Sequence, residues 1–439
     1  MSAQPIDDRS LLGNYFVSAY PPFSCWTETA ASDFRAALAR RPDPPGSSAT
    51  LGLYVHIPFC VERCQYCYYL AHDDRMGDVD RYLRALLQEL ALYAKSPAIG
   101  SRRLSVVYFG GGTPSLLSAT RIDLLLSEIQ RLLPWNGVRE ATFECAPKSV
   151  TESKLRILRD AGITRLSLGV QQLNNEILRA NGRIHLVEDV ERAYAAVRRV
   201  GFDVVNLDLI VGLPGESDDT FDDSLERVLE LAPDCVTIYQ LEIPFNTPLC
   251  RAVRDGSQTA APASWEVKRR RLGRAFGLLE MKGYAVRSAY AAVRDPSRHG
   301  FLYQDDQYGG ADLLGIGASA FSYVGGVHQQ NLPALDDYLT AVEENRLPAW
   351  RGYALDEEEQ LVREFVLQLK LGRIDSSRFR TRFGIDPAER FAEPLAWMRA
   401  RGWLTPDDGC IRLTREGLLR VDHLIPAFYL THHQGVRYS

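Results

Sequence analysis

Three cysteines stand within eight residues: Cys60, Cys64 and Cys67, in the string YVHIPFCVERCQYCYYL. Their C-x3-C-x2-C spacing lets one short loop wrap three thiolates around a compact metal centre. Thiolates are the soft ligands that iron–sulfur clusters require. Three ligands on a [4Fe–4S] cluster leave one iron open to bind a reactant directly. Structural zinc is the alternative. It wants a fourth ligand, and His56 and His72 are near enough in sequence to offer one. Zinc sites usually pair two ligand dyads, however, and no second dyad is present, so the cluster is the preferred reading. The other cysteines (Cys25, Cys145, Cys235, Cys250 and Cys410) are scattered and read as small buried hydrophobes.

Other candidate residues fall at the ends of apolar runs. Gly110, Gly111 and Gly112 follow VVYF, with Thr113 next. Three glycines let the backbone approach a ligand closely and expose N–H donors, or simply make a tight turn. Glu144 ends TFEC, Gln171 follows GV, Arg183 lies in NGR and Asp208 in NLDLI. A carboxylate and a guanidinium at strand ends suit a zwitterionic, ribose-bearing ligand. Tyr239 and Gln240, beside Glu242, are candidates to line the same pocket. His185, His299 and His328 read as ordinary surface or core histidines. Gln330 and Asn331 could face a substrate.

These residues need a frame, and the chain repeats one. LGLYVHI (51–57) is a strand and 78–94 has helical periodicity. Strands follow at 104–109, 139–145, 164–170, 202–210 and 235–241. Helices are expected at 119–132, 174–180, 187–200, 218–231 and 263–282, and in SVTESKLRILRDAG, which should stop at Gly162. Repeated strand–helix units imply parallel strands with helical crossovers and a site at their C-terminal ends. Residues 1–48 form an N-terminal arm, aromatic over 14–26 and ending in a linker, RRPDPPGSS. Beyond residue 350 the pattern changes to helices and a small hairpin, a winged-helix-like module.

Composition bounds the rest. The 439 residues carry a net charge of −5, which gives no reason to expect nucleic acid as a partner. No run of eighteen apolar residues is present, so no membrane span is expected, and the N-terminus has no signal-peptide pattern. The expected location is the cytoplasm, and the expected state a monomer.

YVHIPFC with its three spaced cysteines, GGGTPS, GVQ, NLDLIVGLPGE and DLLGIGASAFS, in that order, resembles the radical S-adenosylmethionine (SAM) superfamily, in its oxygen-independent coproporphyrinogen III oxidase (HemN-type) branch. The resemblance implies an α/β fold: a partial (β/α) TIM-like barrel at 49–290, a connecting segment at 291–350 that completes the site, and a C-terminal domain at 351–439. It implies a [4Fe–4S] cluster on Cys60, Cys64 and Cys67, two SAM molecules, and an electron donor such as flavodoxin or ferredoxin. Tyr54, Gly110, Gly111, Gly112, Thr113, Glu144 and Phe321 would contact the first SAM. Tyr66, Gly112, Thr113, Gln171, Arg183, Asp208 and Glu242 would contact the second. In this superfamily a 5′-deoxyadenosyl radical abstracts hydrogen, and Tyr15 with Tyr20 to Phe23 would form a lid that keeps water out. The oxidase pattern carries a further cysteine two residues after the third ligand, where this chain has Tyr69. That departure places methyl or methylene transfer to an sp2 carbon of a large unsaturated substrate first, ahead of oxidative decarboxylation of coproporphyrinogen III. The haem-chaperone pattern, HNxxYW without an arm, is absent, so haem handling comes third.

Overall fold

The computed structural model of the chain describes residues 10–13, 15–41, 50–258, 260–405, 410–436 and 438. The strands are β1 (Leu51–Ile57), β2 (Leu104–Gly111), β3 (Glu140–Cys145), β4 (Arg165–Gln171), β5 (Val204–Val211), β6 (Cys235–Gln240), β7 (Ala285–Val286), β8 (Ala291–Val293), β9 (Asp312–Ile316), β10 (Phe321–Val324), β11 (Val327–Asn331) and β12 (Ala349–Ala354). They form one sheet in the order β12-β11-β10-β9-β1-β2-β3-β4-β5-β6-β8-β7. From β9 through β6 neighbouring strands are parallel, and β8 and β10 pair antiparallel at the two ends of that run. The sheet is therefore a partial barrel, extended at both edges by antiparallel ribbons.

The parallel strands read as near-continuous apolar runs because both faces are covered. Helices at Val79–Ala94, Ala119–Leu132, Glu152–Asp160, Val187–Val200 and Asp218–Leu231 make the crossovers and cover the outer face. Their ends obey local chemistry. The Leu186 N–H donates to Asp189 Oδ2 at 3.0 Å, and the same helix stops at Gly201 with φ 81°. Gly162, at φ 89°, ends the turn after Asp160. Leu53, Val55, Phe109, Phe143, Leu166, Leu207 and Val236 fill the main core against these helices.

The C-terminal module packs a second core around Phe365, Phe391, Leu395 and Phe428. It contains the helix Glu357–Leu369, shorter helices, and a two-stranded antiparallel pair, β13 (Arg373–Ile374) with β14 (Ile411–Arg412), whose strands are separated in the chain by the shorter helices rather than joined as the expected hairpin. The arm is tied down. Thr27 and Gly352 exchange N–H···O bonds at 2.9 Å, and Gly13 N–H donates to Ile243 O at 3.0 Å. Tyr20 is fully buried in the C-terminal core. The arm also holds a helix, Ala31–Ala39, where the sequence suggested little periodicity. The linker expected at 42–48 lies outside the described residues. No helix among the described residues is long and apolar enough to cross a membrane.

Candidate functional site

Of the seven parallel strands, β1 to β6 are buried along most of their length, and Gly111, Gln171 and Gln240, the last residues of β2, β4 and β6, are partly open. The other openings are Tyr54, Tyr108, Glu144, Gly169, Asp208 and Tyr239. Register aligns them: Tyr54 pairs with Tyr108, Glu144 with Ser167, Gly169 with Asp208, and Asp208 with Thr237. Side chains alternate across a strand, so these residues share the inner face and line a lumen. Tyr239 is 40% exposed and Tyr69 48% exposed, although both lie close to the charges of Glu144 and Asp208. Their exposure is to this lumen.

The lumen floor is closed. Arg165 donates to Gly300 O at 3.0 Å, lies 3.7 Å from Glu140 and sits over the Phe301 ring at 4.6 Å. Glu140 in turn accepts the Tyr303 N–H at 3.0 Å.

The cysteine loop hangs from the C-terminal end of β1. His72 N–H donates to Pro58 O at 2.7 Å and Cys60 N–H to His72 O at 3.1 Å, so the loop closes on itself. Arg183 reaches it from below: Nη1 donates to Cys64 Sγ at 3.1 Å and Nη2 to Gly169 O at 2.8 Å. Cys60 Sγ lies 3.4 Å from Thr113 Oγ1. Burial pushes the Cys60 thiol up and the Cys67 thiol to about 11. Such thiols ionise on binding a metal, whose charge replaces the lost solvation. Among the described residues only Glu359, His432 and His433 bring three ligating atoms all within 4.8 Å of one another. His56 Nδ1 lies 3.1 Å from the Tyr54 hydroxyl, and burial lowers its pKa to about 4.

The glycine run gives room, not free donors. A Cβ on Gly110 would stand 3.1 Å from the Glu144 carboxylate, and one on Gly111 would stand 2.6 Å from the His56 ring. Gly111 also has φ 112°, which L side chains rarely adopt. The N–H groups of Gly112 and Thr113, expected to be exposed, instead donate to Ile57 O at 2.9 Å and Phe59 O at 2.8 Å. They hold β2 to the cysteine loop.

Glu144 accepts the Tyr108 hydroxyl at 2.5 Å, and burial raises its pKa to about 7 despite that bond. A carboxylate so placed gains from a cationic partner such as an ammonium group. Asp208 accepts from Ser167 Oγ at 2.7 Å and Asn206 Nδ2 at 2.8 Å, and burial also raises it. Gln171 has φ 66° at a register shift of β4, a strained non-glycine backbone of the kind that collects at binding sites. Gly169 leaves room beside it: a Cβ there would stand 3.0 Å from Gln171 Nε2.

The structure thus gathers Tyr54, Gly110 to Thr113, Glu144, Gln171, Arg183 and Asp208 around the cysteine loop. Tyr66 is half-buried behind it, near Arg183 and Cys64. Glu242 lies at the rim, where it accepts the Tyr15 N–H at 3.1 Å; burial and Asp422 raise its pKa to about 8. Phe321 packs on Phe23 and Trp26 of the arm, with ring centroids at 4.8 and 5.7 Å. Asn331 is not a pocket residue. It is fully buried and donates to Glu89 Oε1 and Gly317 O. Gln330 donates to Ser319 and accepts from Arg351. His185 and His328 are buried and bond to the carbonyls of Val170 and Tyr20. Sequence reasoning missed Tyr68, Tyr108 and Tyr303. The inward period of β2 could have revealed Tyr108. Of the scattered cysteines, Cys145, Cys235 and Cys250 are buried, whereas Cys25 and Cys410 are half-buried.

Comparison with known proteins agrees with this geometry. Residues 54–228 match the Radical SAM superfamily, and residues 355–420 match the HemN C-terminal domain. The chain is 30% identical over 382 residues to the haem chaperone HemW of Bacillus subtilis (strain 168), covering 85% of this chain and 98% of that protein. It is 30% identical over 451 residues to the oxygen-independent coproporphyrinogen III oxidase of Escherichia coli (strain K12), covering 98% and 96%. The solved structure of coproporphyrinogen III oxidase (HemN) from Escherichia coli superposes with a TM-score of 0.82 at 29% identity, over 94% of this chain and 96% of that one.

Proposed function

The chain belongs to the radical SAM superfamily, in its HemN-type branch, and from that premise we propose that it removes hydrogen from a large unsaturated substrate, with oxidative decarboxylation of coproporphyrinogen III as the leading reaction. A [4Fe–4S] cluster and SAM are its cofactors. Reductive cleavage of SAM to a 5′-deoxyadenosyl radical is the chemistry the cluster supplies when bound. The protein's part is to hold, orient and keep dry.

The observation that carries the reading is the lumen itself. Cys60, Cys64 and Cys67 hold the cluster above it. Glu144 takes the ammonium group of the first SAM in the space left by Gly110 to Gly112, with Tyr108 fixing one carboxylate oxygen. Arg183, Gln171 and Asp208 hold a second SAM. Tyr69, Tyr239 and Tyr303 offer flat faces to a large conjugated substrate. The arm, pinned by Tyr15 to Glu242, keeps water from the rim. Residues 49–290 carry the cluster and 291–350 close the lumen floor. A flavodoxin or ferredoxin supplies the electron.

This order reverses the ranking expected from the sequence, because the relatives described above are an oxidase and a haem chaperone, not methylases. Methyl or methylene transfer is kept as a second reading on one observation. Tyr69 stands in the lumen beside Tyr68, with ring centroids 4.6 Å apart and near Glu144, where the oxidase pattern has a cysteine. An anaerobic assay of the reconstituted protein with dithionite, SAM and coproporphyrinogen III separates the two. 5′-Deoxyadenosine with a decarboxylated tetrapyrrole supports the proposal. 5′-Deoxyadenosine with S-adenosylhomocysteine and an unchanged tetrapyrrole refutes it in favour of the second reading.

A further inference from the structure

Far from the cysteine loop in sequence, the chain's tail and the C-terminal module bring together a second set of ligating atoms. Glu359 lies in the first turn of the helix Glu357–Leu369, and His432 and His433 sit in a short turn near the C-terminus. His432 Nε2 is 3.5 Å and His433 Nε2 is 3.7 Å from the same oxygen, Glu359 Oε1. Donors ~2.0–2.1 Å from a tetrahedral zinc ion stand about 3.3 Å apart. The two distances therefore already approximate edges of one coordination sphere.

The surroundings are those of a built site. The Glu359 and His433 side chains are 5% and 3% exposed, while that of His432 is 62% exposed. His433 Nδ1 is 2.8 Å from the buried Tyr20 hydroxyl, which fixes the ring, and Nε2 faces Glu359 Oε1 with the Tyr353 hydroxyl 3.2 Å away. That is how metal-bound histidines are usually oriented, through the nitrogen that does not bind the ion. Glu359 is steadied by the Tyr353 hydroxyl at 2.6 Å and the Asp356 N–H at 2.9 Å. Among the described residues its ion-pair partners are these two histidines alone, with no lysine or arginine. A buried carboxylate without a permanent cation is costly, and a bound cation would remove that cost.

We propose that Glu359, His432 and His433 bind one divalent transition-metal ion of the zinc class, with a solvent-facing position beside His432. Imidazole and carboxylate donors suit such an ion. The ion would join the tail to the C-terminal module and, through Tyr20, to the arm. It is separate from the cluster and independent of the proposed reaction.

Full-length protein with its cluster intact is titrated anaerobically with Co2+, then with Zn2+ in competition. One Co2+ per chain is expected, with the visible absorption of a four-coordinate ion, and displacement by Zn2+. His432→Ala, at an exposed position the fold tolerates, is expected to weaken binding by at least ~10-fold, the order that loss of even an outer-shell partner costs. Glu359→Gln is expected to do the same. The cluster absorbance must stay constant, so that the loop thiols are not the binders. Unchanged affinity in His432→Ala, uptake that tracks cluster loss, or no uptake at millimolar Co2+ would overturn the site.

Discussion

Glu144→Gln is expected to make the SAM-free protein more stable and less able to bind SAM. In the fold, burial raises the Glu144 carboxyl to about 7 from an ordinary value of 4.5. Below the ordinary value the group is protonated whether the chain is folded or not, and it contributes nothing. Between the two values the unfolded chain has lost the proton and the fold retains it, so stability falls as pH rises through that window. At about 1.4 kcal/mol per pH unit the full cost reaches ~3 kcal/mol above pH 7. The side chain is partly open to the lumen, and solvent screening brings this to roughly 1–2 kcal/mol. Glutamine keeps the acceptor for the Tyr108 hydroxyl and carries no charge to desolvate. The variant should therefore gain on the wild type between about pH 4.5 and 7 and hold a constant lead above.

A chain of 439 residues gains roughly 1 °C in Tm per kcal/mol, given ~2 cal/mol/K of unfolding entropy per residue. Scanning calorimetry of cluster-loaded, SAM-free protein at pH 5 and 8 reads the difference directly. Equilibrium binding of SAM reads the other half: the variant should bind at least ~10-fold more weakly, because a charge-assisted bond to the ammonium group is gone. A variant no more stable than wild type at pH 8, or one with unchanged SAM affinity, would refute the reasoning that this carboxylate is held, at a cost, for a cationic ligand.

Further substitutions test the frame. Gly111→Ala combines φ 112° with a Cβ 2.6 Å from the His56 ring, and should cost about 1–3 kcal/mol and lower cluster content on reconstitution, read from iron and sulfide analysis. Asp208→Asn should leave the cluster spectrum unchanged but reduce SAM bound per chain, measured by equilibrium dialysis at saturation. Arg165→Met leaves Glu140 buried and unpaired at the lumen floor, and should destabilise by about 3–5 kcal/mol in urea unfolding. Adding Glu140→Gln should recover much of that loss, and failure to recover would mean that the floor rests on Arg165 packing alone.

The cysteine loop and the parallel strands were legible because each is written locally. Cysteine spacing is covalent geometry, and a strand covered on both faces reads as an unbroken apolar run. The crossover helices at 119–132, 187–200 and 218–231 agree with the expected bounds for the same reason, with Ser217 and Gly201 marking ends that the sequence already displays. The edge ribbons were not legible. β11 reads VHQQN, and its five residues are buried although three are amide side chains. Asn331 is satisfied there by Glu89 and Gly317, and Glu89 also by Tyr338, partners up to 249 positions apart. No local pattern encodes such a bond.

The same physics explains why the site was legible as a set of residues but not as an arrangement. Arg183 is an ordinary guanidinium in the sequence. In the fold it spans Cys64 Sγ and the Gly169 carbonyl, so one side chain joins the cysteine loop to β4 beside the strained Gln171. The glycine run looked like a set of exposed donors because three successive N–H groups commonly cradle an anion. Here the Gly112 N–H is taken by Ile57 O and that of the next residue, Thr113, by Phe59 O, and what remains is a space bounded by His56, Phe59 and Glu144. A cavity is defined by what several strands leave empty together, and its shape is therefore carried by register between β1, β2 and β3 rather than by any one of them.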